Sequence, residues 1–154
     1  MAQGKTALSS PLHLLHRAGQ RADHLFARHV GDVGLTPRQF AVLQAVAEAD
    51  GLSQTDIMAA TGIDRSSTAE LVRRLVSTGC LARRRTKRDA RLYAVRLTPK
   101  GRQLLAQGQP AGRATDQALL ALIAPNLREA FLEALMMLVE RPDRAVGRKV
   151  PPSR

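Results

Sequence analysis

Between Ser53 and Gly101 the chain sets its start and stop signals so close together that few folds can satisfy them. Ser53-Gln54-Thr55-Asp56 places a hydroxyl three residues before a carboxylate, the reciprocal pair that caps a helix start. Thr61-Gly62 closes that helix almost at once, and Asp64 can cap another over RSSTAELVRRLVSTG. The apolar face of this second helix is Ala69, Leu71, Val72, Leu75 and Val76, and Gly79 stops it. The period then changes. Cys80–Arg84 and Tyr93–Leu97 read as short strands on either side of the polar segment Arg85 to Arg91. A short helix, a tight turn, a longer helix and an attached hairpin make a winged helix-turn-helix.

The flanks are helical. Pro11 to Val30 carries Leu12, Leu15, Ala18, Ala22, Leu25 and Phe26 at helical spacing, and Gly31 and Gly34 end it. Thr36-Pro37-Arg38-Gln39 forms another capping box, followed by Phe40, Val42, Leu43 and Val46 up to a break at Asp50-Gly51. Thr98-Pro99 starts a further helix. Gly108-Gln109-Pro110-Ala111-Gly112 is expected to kink or split it, because proline removes a backbone donor and crowds the preceding turn. From Ala118 to Val139 apolar residues cover more than one face, and a stripe this broad needs partners on two sides: the first helix and a second copy of the chain. Residues 1–10 and 141–154 read as flexible ends.

Charge narrows the function. The net charge is +11, of which residues 83–91 supply +5 and residues 141–154 supply +4. A surplus so unevenly placed points to a polyanionic partner, nucleic acid first. No run of eighteen apolar residues is present, the start lacks a signal-peptide pattern, and the basic tail has no aromatic anchors, so no membrane role is expected. A lone cysteine, Cys80, fits a reducing cytoplasm, and its place at the first wing strand suits a small buried hydrophobe. There is no Gly-rich phosphate loop, no serine or cysteine with an evident histidine partner, and no metal-ligand spacing among His13, His16, His24 and His29. Neither an enzyme nor a cofactor is expected.

The order of elements resembles the MarR family of bacterial transcription regulators. Asp89-Ala90-Arg91 followed by Leu92–Leu97 and Thr98-Pro99-Lys100-Gly101 matches that family's wing signature, D-x-R and then a strand ending in L-T-x-x-G. Leu35–Leu43 is similar to its second helix, and Ser53 through Leu75 to its reading head. The resemblance implies a mainly α fold with a small β-hairpin wing: a winged helix-turn-helix at 35–98 between N- and C-terminal dimerisation helices at 11–34 and 99–140. It also implies a homodimeric repressor on double-stranded DNA, bound to a palindromic operator and released by a small-molecule inducer lodged between the dimer helices and the DNA-binding lobe. The break at 108–112 departs from the family, whose helix there is long and continuous.

Several residues then acquire expected roles. Arg65, Ser66, Ser67 and Thr68 would face base edges from the start of the second helix, with Arg65 able to fork onto guanine. Arg73 and Arg74 can reach phosphate or, alternatively, form a solvated face paired with Glu70. Ser53, Gln54 and Thr55 are candidate phosphate donors, although Ser53 also reads as a cap. In the wing, Lys87 and Arg88 would touch phosphate while Arg91, oriented by Asp89, enters a narrow minor groove. The first helix has a cationic face including His16, Arg17, Gln20, Arg21 and His24. That face reads either as solvated surface or as the seat of an anionic inducer, an aromatic acid or its CoA thioester by resemblance to regulators of aromatic catabolism. The competing function is a sequence-independent architectural nucleic-acid binder, which would hold any duplex about equally.

Overall fold

The computed structural model describes residues 10–49, 51–85 and 93–140, and the chain divides into two compact units, 1–117 and 118–154. In the first unit the helices are α1 (Pro11–Val30), α2 (Pro37–Glu48), α3 (Gln54–Thr61) and α4 (Arg65–Ser77). The hairpin of β1 (Leu81–Arg85) and β2 (Tyr93–Leu97) follows, and then α5 (Pro99–Ala121), which runs past the boundary into the second unit. The second unit also holds α6 (Arg128–Glu140). This is the expected mainly α fold with a hairpin wing. Among the described residues no helix is long and apolar enough to cross a membrane.

The starts expected from sequence are made by the groups expected. Thr36 and Ser53 each accept from the N–H three residues on while Gln39 and Asp56 return the bond, completing both capping boxes. Between α3 and α4 the chain turns at Gly62, which sits at φ 68° and donates its N–H to the Met58 carbonyl at 2.8 Å. That left-handed conformation favours glycine. The short α3–α4 spacing follows from it.

Val42, Leu43, Ile57, Val72, Leu81 and Val95 are all at most 2% exposed and bring α2, α3, α4 and both strands into one core. Burying a side chain of this kind contributes about 1.5–3 kcal/mol. The hairpin is antiparallel with Leu81 opposite Leu97 and Arg83 opposite Val95, one residue later at its start than the alternation suggested. Leu52 extends it through a two-way backbone pairing with Val95, at 3.1 and 2.7 Å.

The wing is bolted to the end of α4 by the Thr98-Pro99-Lys100-Gly101 segment. Thr98 donates its N–H to the Cys80 carbonyl at 3.1 Å, and its hydroxyl lies 2.6 Å from the Gly79 carbonyl while accepting the Gly101 N–H at 3.0 Å. Lys100 Nζ reaches the Thr78 carbonyl at 2.7 Å. At Gly101 a Cβ would collide with the Cys80 carbonyl.

One of two alternatives is removed: α5 is continuous through Pro110 rather than split. Pro110 is exposed, whereas Gly108 and Gly112 let the helix come close to its neighbours: a Cβ on Gly108 would lie 2.5 Å from Leu35, and one on Gly112 would lie 3.0 Å from the Phe40 ring. Ala111, only 4% exposed, adds to that close packing, and the dispersion attraction across it offsets the one hydrogen bond proline removes. The apolar stretch from Ala118 to Val139 is shared between two helices. In the second unit α5 ends at Ala121, a 3₁₀ turn spans Pro125–Leu127, and α6 begins at Arg128, whose Nε donates to the Ile123 carbonyl at 3.1 Å. Pro125, suited to a first turn, is the local signal for the restart.

α6 has no buried residue of its own, and Leu132, Met136, Met137, Leu138 and Val139 are exposed. On α1, Leu12, Leu14 and Leu15 are exposed while Phe26 and Val30 are buried, with the Phe26 ring 5.1 Å from that of Phe40.

Candidate nucleic-acid interface

α4 begins on Asp64, whose Oδ1 accepts the Ser67 N–H at 2.9 Å and the Ser66 hydroxyl at 2.8 Å. These bonds, the Ser67 N–H foremost and the serine hydroxyls after it, hold the Asp64 carboxyl well below its ordinary value of 3.8. A carboxyl lowered on folding stabilises above its ordinary value and loses that contribution as pH falls through its folded one. Asp64→Ala is therefore expected to lower the melting temperature at pH 7, with the gap to wild type narrowing toward pH 3. An undiminished gap at acid pH in a pair of thermal melts would assign the effect to something other than this charge.

With the cap in place, Arg65 stands exposed at the first position of α4 with no partner among the described residues. Ser66 is exposed and Ser67 half-buried beside it. Thr68, expected among the base-facing residues, is not available: it is 0% exposed and its hydroxyl donates to the Ile63 carbonyl at 3.2 Å. The fourth position of α4 has already rotated into the core, because a helix advances about 100° per residue. The candidates for base contact contract to Arg65, Ser66 and Ser67.

At the start of α3, Ser53 is spent on its cap: its hydroxyl donates to Asp56 Oδ2 at 2.6 Å and accepts the Asp56 N–H at 3.1 Å. Of its two readings the structure supports the cap. That serine hydroxyl is the first cause holding the Asp56 carboxyl low. Gln54 and Thr55 are exposed at the same helix end.

Arg73 and Arg74 are tied to Glu70. Arg73 forks onto the carboxylate, Nε to Oε2 at 2.9 Å and Nη2 to Oε1 at 2.8 Å, while Arg74 Nε reaches Oε1 at 2.6 Å. Hydrogen bonding from Arg74, then from Arg73, lowers the Glu70 carboxyl. Beside them lies a cleft of about 220 Å³ lined by Arg38, Ser67, Glu70, Leu71 and Arg74. Arg38 was missed in the sequence. It occupies the second position of α2, and only the packing of α2 on α4 brings it next to Ser67 and Arg74.

In the wing, Arg83, Arg84 and Arg85 of β1 are exposed, and the Arg85 guanidinium lies 5.9 Å from the centre of the Tyr93 ring. Lys87, Arg88, Asp89 and Arg91 lie outside the described residues. Cys80 is 2% exposed, as a small core residue would be. The cationic face of α1 forms an open hollow of about 460 Å³ lined by Leu14, Arg17, Ala18, Gln20, Arg21 and His24. Four of the five residues singled out for an anionic ligand line it, and His16 is exposed without doing so. Two guanidiniums, an imidazole and an amide suit a carboxylate chemically. Among the described residues no His, Cys, Asp and Glu come together in a set able to hold a metal.

Known proteins share this arrangement. Residues 33–92 match the sequence profile of the MarR family. Over 149 residues the chain is 32% identical to a putative transcriptional regulatory protein for the hcr operon of Thauera aromatica, covering 88% of this chain and 90% of the relative. Among solved structures, the BpsR regulator of Bordetella bronchiseptica, whose DNA binding is regulated by 6-hydroxynicotinic acid, superposes with a TM-score of 0.81 at 30% identity, covering 88% of this chain and 97% of that one. The repressor CouR bound to a 23-mer DNA duplex superposes with a TM-score of 0.74 at 31% identity, over 84% of this chain and 92% of that one.

Proposed function

The chain belongs to the MarR family and is a DNA-binding transcription regulator, not an enzyme; from that premise we propose that it is a homodimeric repressor of a palindromic operator, released by an aromatic acid. The observation that carries the reading is the start of α4, where Arg65 and Ser66 are exposed and Ser67 is half-buried, on a helix whose other end leads into a basic hairpin. Hydrogen-bonding side chains there suit base edges, whereas the arginines of the wing and of the Arg38 cleft suit phosphate. In the wing we assign Arg91 to the minor groove, with Asp89 as its orienter and Lys87 and Arg88 on phosphate. Gln54 and Thr55 join the phosphate set from the start of α3.

The homodimer is supported by the apolar surface of α6 and the first turns of α1, which a monomer would leave in water. As an inducer, an aromatic carboxylate fits the α1 hollow with Arg17, Gln20, Arg21 and His24 around it. The likeness to BpsR, regulated by 6-hydroxynicotinic acid, favours the same chemical class. A CoA thioester would place phosphates on the same cationic face.

A test starts from duplexes enriched by repeated rounds of binding from a random pool. The enriched site should be a palindrome bound at least about 10³-fold more tightly than a scrambled duplex. An aromatic acid from a panel that includes CoA thioesters should then raise the melting temperature and release the DNA. Equal binding to scrambled DNA would support the sequence-independent binder instead. A panel without any stabilising member would discard the inducer reading.

A further inference from the structure

Glu70 is an acid where the expected partner is a polyanion, and its carboxylate takes both neighbouring arginines at once. Both Oε atoms are occupied: Arg73 uses one whole edge of its guanidinium, and Arg74 gives its Nε. Each guanidinium has five N–H donors in a rigid plane. Arg73 is left with its outer edge and Arg74 with its terminal edge, so each can still donate to phosphate, but in one orientation only. The three side chains together carry +1 instead of the +2 that the arginines alone would bring. All three are substantially exposed, at 66% and 65% for the arginines and 42% for Glu70, so the pairing faces solvent and not the core.

We propose that Glu70 is a specificity-determining positioning residue, which holds Arg73 and Arg74 in one register and withholds charge from unspecific DNA. The inference rests on the DNA-binding reading above. Two free arginines on a helix would settle on phosphates anywhere along a duplex, because that attraction is independent of sequence. Fixed by one carboxylate, they are satisfied only where the backbone presents phosphates at the spacing their free edges face. Arg74 also lines the cleft that holds Arg38 and Ser67, so the register it keeps is shared with a residue at the base-facing start of α4. A purely structural role, support of α4 through pairs one turn apart, would change stability and leave the choice between DNA sequences untouched.

Glu70→Gln in the full chain separates these roles, since glutamine keeps the size and nearly the helix propensity of glutamate. Two probes are compared: the palindromic duplex enriched with the wild-type chain, and poly(dI-dC). The variant should bind poly(dI-dC) more tightly with a steeper salt dependence, and its preference for the enriched site should fall about three- to fivefold, the scale of two exposed ion pairs. In a background carrying Arg73→Ala and Arg74→Ala the same substitution should leave the preference unchanged. A preference that is unaltered or increased in Glu70→Gln would overturn the proposal. So would an equal fall when both arginines are absent, since the carboxylate would then act on DNA directly. If no sequence is enriched by the wild-type chain, the repressor reading fails first and this inference with it.

Discussion

Gly101→Ala should cost this protein about 3 kcal/mol or more, although alanine is the better helix former by about 1 kcal/mol. The added methyl would enter the Cys80 carbonyl, which already accepts the Thr98 N–H, and would crowd Leu97. Backbone cannot swing aside as a side-chain tip can, so α5 must lift from the end of α4. Thr98, which joins the Gly79 carbonyl to the Gly101 N–H, would lose its bridge in the same step. Since domains of this size are stable by only about 5–15 kcal/mol, the variant should melt well below wild type. Chemical denaturation followed by circular dichroism measures it. A midpoint at or above the wild-type one would mean that the wing and α5 are not locked together as described.

The second large effect concerns assembly. Leu132 and Met136 lie one turn apart on the same face of α6 and are 44% and 53% exposed in a single chain. Leu132→Glu with Met136→Glu should therefore leave the single chain folded while placing two unpaired carboxylates in the proposed dimer contact. Burying an unpaired charge costs several kcal/mol. Sedimentation should show monomers, and affinity for the enriched palindrome should fall at least about a hundredfold, a loss of about 2.7 kcal/mol, as each lobe must bind its half-site alone. A dimer that persists with both glutamates in place would remove α6 from the interface.

What could be read in advance follows from how far each signal reaches along the chain. The starts of α2, α3 and α4 were legible because a helix cap is closed within four residues: the capping boxes of Thr36 with Gln39 and Ser53 with Asp56, and the Asp64 cap on Ser67. The hairpin was legible because strand alternation is equally local. Pro110 left a kink and a split both open for the same reason. Its cost is local, but the compensation comes from Leu35 and Phe40, which lie far back along the chain at the start of α2. Thr68 shows the same limit at the site: a polar residue beside three others reads as part of a reading surface until the packed core assigns it to Ile63.

The sequence alone determined the local conformation, the charge and the chemical types at the reading head, since each depends on residues within a turn or two of one another. Tertiary packing decided which of those groups face outward together. It buried Thr68, carried α5 without a break past Pro110 and put Arg38 of α2 into one cleft with Arg74 of α4. The register of side chains around a helix is a local property; the direction that register faces depends on what the rest of the chain packs against it.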